Sequence, residues 1–242
     1  MTILILTAVL LTSVLSGILG MGGGMILMGV LTLILPVSSA MILHGFVQLS
    51  SNGSRAYIHR SSIQWSILPY YILGSLIAFL VINSVTLIPS KSLILIILGL
   101  FPFLSFLLQK KVRLNILKPR TSALCGLLVT STQMLAGASG PVLDTFYLQT
   151  PLNRHQVIAT KALTQSLGHI LKTLFYLRIA SGSEVTLEWT WIVLCMFIAN
   201  AGTQLGKSIL NRISETQFQT ASSLVVPLIG LIYLIRGVLD SV

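Results

Sequence analysis

No aspartate, glutamate, lysine or arginine precedes Arg55. A soluble domain has no use for so long an uncharged stretch at its start, and the pattern recurs in charge-free runs at 61–90, 92–109, 121–143, 189–206 and 216–235. A bilayer core takes about 20 apolar residues per spanning helix, so the runs predict about eight transmembrane helices. The expectation is an all-α polytopic membrane protein whose main partner is the lipid bilayer. With 242 residues, 54% of them apolar and 8% charged, and a mean hydropathy of +0.93, little chain remains for an extramembrane catalytic domain. The expected class is a transporter, not an enzyme, with no cofactor.

The first apolar run lacks a basic leading segment, continues through 21–35 and offers no small-residue cleavage site, so it reads as part of the fold and not as a secretory signal. Cys125 and Cys195 each stand alone in an apolar run, which indicates neither a disulfide framework nor a metal centre. The net charge of +10 comes from residues at helix ends, most densely Lys110, Lys111 and Arg113, followed by Lys118 and Arg120. That is the positive-inside pattern, which places this connection in the cytoplasm and requires no nucleic acid.

A repeat hinges on that connection. Gly20-Met21-Gly22-Gly23-Gly24 corresponds to Gly137-Ala138-Ser139-Gly140-Pro141 at an offset of 117 (137 − 20), and the same offset pairs Gln48 with Gln165, Asn52 with His169, and Arg55 with Lys172. Trp65 and Trp189 each open an apolar span carrying small residues one turn apart, Gly74 with Ala78 and Gly202 with Gly206, a pattern suited to close helix packing in lipid. Two membrane repeats are expected, 1–118 and 119–242.

Each glycine cluster interrupts a run that would otherwise be one long helix. Glycine costs on the order of 1 kcal/mol in a helix interior, and Pro141 also removes a donor. A broken or re-entrant helix follows. In a membrane, irregular backbone survives only against protein or a water-filled cavity. The N–H groups near 24–26 and 141–143 carry partial positive charge and attract anions. The next helix of each half supplies a polar face: Gln48, Ser51, Asn52 and Arg55 in the first, Lys161, Gln165, His169 and Lys172 in the second. Such residues within spans face the bundle interior, and cations among them point to an anionic solute. Glu184, Glu188, Glu215 and Asp240 fall in loops or at helix ends, whereas Asp144 directly follows the second break. It is a candidate for proton or ion coupling, or for pairing with Lys161 or Lys172.

These residues resemble the TauE/SafE family of sulfite and organosulfur anion exporters. The resemblance is carried by Gly20 to Gly24, Ser51-Asn52 with Arg55-Ala56 and Arg60, then Gly137, Gly140-Pro141 and Asp144, and Ala159-Thr160-Lys161-Ala162 with Gln165, His169 and Lys172. It implies a bacterial or archaeal inner-membrane, multi-pass permease of about eight spans for small sulfur-containing anions. Two topologies put residues 110–120 inside. Eight full spans give parallel halves with cytoplasmic termini; re-entrant hairpins at the glycines give inverted halves with external termini. The inverted form also places Arg154, Lys207 and Arg212 inside, against Arg178 and Arg236 outside, so the charge count leans towards it.

Gly137-Ala138-Ser139-Gly140 also matches the GxSG pattern of rhomboid-type intramembrane serine proteases, with His169 as the base. The first half has no serine at the equivalent place, and His169 belongs to a stripe mirrored by Gln48, Asn52 and Arg55, a symmetry that a protease does not need. A non-transporting membrane scaffold is the other alternative, and it gives the polar stripes no use. The expected binding residues are Gly22, Gly23, Gly24, Gln48, Asn52, Arg55, Ser139, Gly140, Gln165, His169 and Lys172, with Asp144 and Lys161 as coupling candidates and no metal ligands. The partner is a small anionic solute; a homo-oligomer is compatible with the pattern.

Overall fold

A computed structural model describes residues 2–19, 22–111, 114–147, 150–180, 188–210 and 215–241. Gly20, Met21, Arg113, Glu184 and Arg212, singled out above, lie outside the described residues. The described residues form helices and no strands: α1 (Thr2–Leu19), α2 (Gly23–Ile34), α3 (Val37–Ile58), α4 (Leu68–Val85), α5 (Lys91–Lys111), α6 (Pro119–Ala136), α7 (Gly140–Thr145), α8 (Arg154–Ile179), α9 (Trp189–Leu210) and α10 (Glu215–Leu239), with 3-10 turns at Arg60–Ser62 and Trp65–Ile67. The all-α expectation is met. Among the described residues two helices are long and apolar enough to cross a bilayer by themselves, Trp65–Val85 and Trp189–Ile209. Length and apolarity alone therefore support two spans and not the expected eight or so. The polar stripes lower the apolarity of α3 and α8, and Pro102 and Pro227 lie inside α5 and α10.

The helices pack in pairs: α4 on α6, α1 on α9, α3 on α8, and α5 on α10. Small residues explain the closeness. A Cβ on Gly74 would overlap Ala123 O, and one on Gly126 would overlap Tyr71 O; Gly17 and Gly206 meet in the same way between α1 and α9. Side-chain ties then reveal direction. Ser122 Oγ donates to Ile67 O (2.8 Å) and Ser75 Oγ to Gly126 O (3.4 Å), so α4 and α6 run parallel. Ser50 Oγ donates to Met196 O (2.9 Å) and Ser54 Oγ to Asn200 Oδ1 (3.3 Å), so α3 and α9 are parallel too. By contrast His44 on α3 meets Lys172 on α8 (2.8 Å), while His59 just past the end of α3 lies 5.8 Å from His155 at the start of α8, ring to ring. Hence α3 and α8 are antiparallel. So are α5 and α10, where Ser92 Oγ donates to Asp240 O (2.9 Å) and Gly99 lies against Gly230.

Outward faces are apolar, with Leu73, Leu76, Ile77 and Leu80 of α4, Val193, Leu194 and Phe197 of α9, and Leu231, Ile232 and Ile235 of α10 all exposed. Helix faces of this kind suit lipid and not water. Inside, the twelve-residue α2 rises only about 18 Å, too short to span lipid, and its Met25, Leu27, Met28 and Leu31 are buried with Met41, Leu43 and Val47 of α3.

Candidate functional site

Both interruptions fall at the glycines. α1 ends at Leu19 and α2 starts at Gly23, after Gly22 with φ 82°; α6 ends at Ala136 against Gly137 with φ 80°, and α7 starts at Gly140. Gly137 caps α6 in the left-handed region, its N–H donating to Gln133 O (2.9 Å), and a Cβ there would overlap Met28 Sδ. Gly137→Ala should therefore cost about 2 kcal/mol, from left-handed strain plus repacking. Thermal unfolding in detergent measures this as a midpoint lowered by roughly 4–8 °C.

The start of α2 and the break before α7 face each other across α3 and α8, and a cavity of about 30 Å³ lies between them. At about 10–15 Å³ per water, that is room for two or three water molecules. Gly22 and Gly24 line it from the first break, and Ser139 and Gly140 from the second. Gln48, Asn52 and Arg55 of α3 and Gln165 and His169 of α8 complete the expected set. Ala138 and Pro141 of the second break line it too, and so do Ser16, Met25 and His44, which the sequence did not single out. Gly23 is packed against Thr12 and Ser16 of α1, and Lys172 sits behind the lining; neither belongs to the wall. Among the described residues no carboxylate lines the cavity. The first N–H groups of α2 have no acceptor within their own helix and lie at its positive end.

The two cations do matching work. Arg55, 8% exposed, donates from Nη1 to Ser16 O (3.3 Å) and from Nη2 to Ser16 Oγ (3.0 Å) and Asn52 Oδ1 (2.8 Å). Lys172, 0% exposed, donates from Nζ to Gly137 O (3.0 Å) and meets His44 Nδ1 (2.8 Å). Each thus reaches a carbonyl at the C-terminal end of the helix preceding a break, the negative end of the helix dipole. His44 Nε2 lies 2.8 Å from Gly24 O, which only accepts, so this nitrogen carries the proton and Nδ1 accepts from Lys172. Asn52 Nδ2 reaches Gln48 Oε1 at 3.5 Å, which lies at the limit of a hydrogen bond.

Asp144 and Lys161 pair with each other, joining α7 to α8, and neither lines the cavity. Ser139 Oγ donates to Gln133 Oε1 (3.3 Å), and His169 Nδ1 is buried with no hydrogen-bond partner among the described residues. The protease alternative needed a serine held by that histidine, and the hydrogen bond of Ser139 goes elsewhere. At the end of α3, burial, helped by Lys207, His155 and Arg55 nearby, holds the His59 imidazole below its ordinary range. That mouth of the bundle, with Arg60 and Arg154 at neighbouring helix ends, is basic.

The missed His44 had a signal: it stands four residues before Gln48, on the same helical face, and 117 before Lys161 (161 − 44).

Among known families, the one described as sulfite exporter TauE/SafE matches residues 5–233, nearly the whole chain. No curated protein and no solved structure matches it.

Proposed function

This chain belongs to the sulfite exporter TauE/SafE family, whose members are membrane transporters, and on that premise we propose that it is a multi-pass permease for a small sulfur oxyanion in a bacterial plasma membrane. The observation that carries the reading is the chemistry of the cavity wall: a guanidinium, two imidazoles, amide side chains and the positive end of α2, with no carboxylate among the described residues. Buried positive potential of this kind is stabilised by an anion and by little else. The volume favours an ion of a few atoms, such as sulfite or the sulfonate head of a small organosulfur compound. Gln48, Asn52, Gln165 and His169 would give hydrogen-bond specificity, and Arg55 and Lys172 the charge.

We read the chain as two inverted repeats, 1–118 and 119–242. Three pairs of helices start 117 residues apart: α1 and α6 (119 − 2), α2 and α7 (140 − 23), α3 and α8 (154 − 37). The equivalent helices α3 and α8 run antiparallel, and so do α5 and α10. Parallel repeats would give the opposite result. With α2 and α7 as half-crossings, Lys110, Lys111, Lys118, Arg120, Arg60, Arg154 and Lys207 fall on one face and Lys91, Arg178 and Arg236 on the other, a distribution that supports cytoplasmic placement of the first group. Exchange of conformation between inverted halves offers a route to alternating access.

The test is uptake of sulfite, thiosulfate and sulfoacetate into proteoliposomes, against empty liposomes and against an Arg55→Ala, Lys172→Ala double variant. Flux above empty liposomes that falls at least 100-fold in the variant (about 2.7 kcal/mol) is expected. No flux with any of these anions, in folded protein, would withdraw the substrate class.

A further inference from the structure

His169 is the one titratable group on the cavity wall whose side chain has no hydrogen bond among the described residues. It is 3% exposed, and its ring lies 5.3 Å from that of His44. The two imidazoles are not equivalent. Both nitrogens of His44 are committed, Nε2 to Gly24 O and Nδ1 to Lys172 Nζ, so a second proton on His44 would have to displace the ammonium. His169 has no such constraint.

We infer that His169 is a proton site coupled to the anion, so that proton and anion occupy the protein together. The inference rests on the permease reading above. Of the charged and titratable groups, His44 and Arg55 on α3 share the cavity wall with His169, Lys172 stands three residues further along α8, and the Asp144–Lys161 pair between α7 and α8 lies off the wall; α2 has no ionisable residue, and α6 presents Gln133. Asp144 is already taken by Lys161. Adding a proton to His169 while the cavity is empty therefore places a further positive charge near Lys172 and Arg55, with no free acid on the wall among the described residues to offset it. An anion in the cavity supplies that offset. The coupling is reciprocal: whatever the anion does for the proton, the proton does for the anion. A proton taken up on one side and released on the other would then accompany each anion, and a pH gradient would drive accumulation. This moves the coupling role from Asp144 and Lys161, where the sequence suggested it, to the cavity wall.

The test uses thiosulfate, whose own charge does not change in the range of imidazole titration, with purified full-length protein between about pH 5.5 and 8.5. On the alkaline side of the titration the Kd should weaken by about tenfold per pH unit, and binding should take up close to one proton, read with an indicator dye in weakly buffered solution. His169→Gln should bind more weakly, with a flat pH profile and no proton uptake. Combined Asp144→Asn and Lys161→Met should keep the slope. A wild-type Kd that is flat with pH, with no proton taken up, overturns the inference while leaving the permease reading intact. So does a retained slope in His169→Gln. Absence of oxyanion binding at every pH overturns both. The wild-type proton count decides the matter even where the His169 variant fails to fold.

Discussion

Arg55→Leu is expected to abolish anion flux, lowering it by at least 100-fold per folded protein. Among the described residues Arg55 is the only lysine or arginine on the cavity wall, and its guanidinium joins the last turn of α1 through Ser16 O, the Ser16 hydroxyl, and Asn52 on its own helix. Hydrogen bonds to a charged group contribute about 1.5–3 kcal/mol each, so losing this fork removes both the charge that meets the anion and the tie that holds α1 at the break. Overall stability should fall much less, because leucine also removes the desolvation cost of a buried cation. Lysine should restore little, since a single ammonium cannot reproduce the planar fork. The measurement is uptake normalised to monodisperse protein. A variant retaining more than about a tenth of wild-type flux, a loss under ~1.4 kcal/mol, would remove Arg55 from the pathway.

The second large effect is structural. Gly74→Ala should destabilise the protein by about 3 kcal/mol, whereas Gly53→Ala, with open space around its added methyl, should be neutral or slightly stabilising. Both glycines lie inside helices, so helix propensity favours alanine at each. The difference is the neighbour. At Gly74 the obstructing atom is the carbonyl of Ala123, which cannot rotate away, so α4 and α6 must separate. Separation weakens the Ser75 and Ser122 ties and shifts Tyr71, whose hydroxyl donates to Thr164 O on α8 (3.3 Å), one residue before the cavity-lining Gln165. Flux should therefore fall along with stability. Unfolding midpoints in detergent check this, with an expected drop of about 6–12 °C for Gly74→Ala and no drop for Gly53→Ala. Equal midpoints would show that the α4–α6 contact is looser than described.

Much of this was legible in the sequence because membrane burial makes polar residues conspicuous. Gln48, Asn52, Arg55, Gln165 and His169 stood out against apolar neighbours, and helical spacing put them on common faces. Glycine clusters marked the breaks because no other residue type is so costly in a helix yet so permissive outside one. His44 escaped, since a single neutral histidine carries no formal charge and it stands one turn before the polar face that opens at Gln48. The partners of the cations were also hidden: Arg55 and Lys172 reach backbone carbonyls, which no residue pattern encodes. Asp144 had two lysines to choose from, and only geometry selects Lys161. Two helices among the described residues carry the expected apolar length by themselves, while the polar faces of α3 and α8 lower the apolarity of helices long enough to cross.

The central claim is that an oxyanion occupies the cavity between the start of α2 and the faces of α3 and α8. Anomalous diffraction at the selenium edge, from crystals grown with selenate as a heavy stand-in for a sulfur oxyanion, tests it most directly. The account predicts one dominant selenium peak within hydrogen-bond reach of Gln48, Gln165 and the Arg55 side of the wall, lost in crystals of Arg55→Leu. Selenium peaks confined to the basic helix ends around Arg60 and Arg154, with the cavity empty of signal, would contradict it.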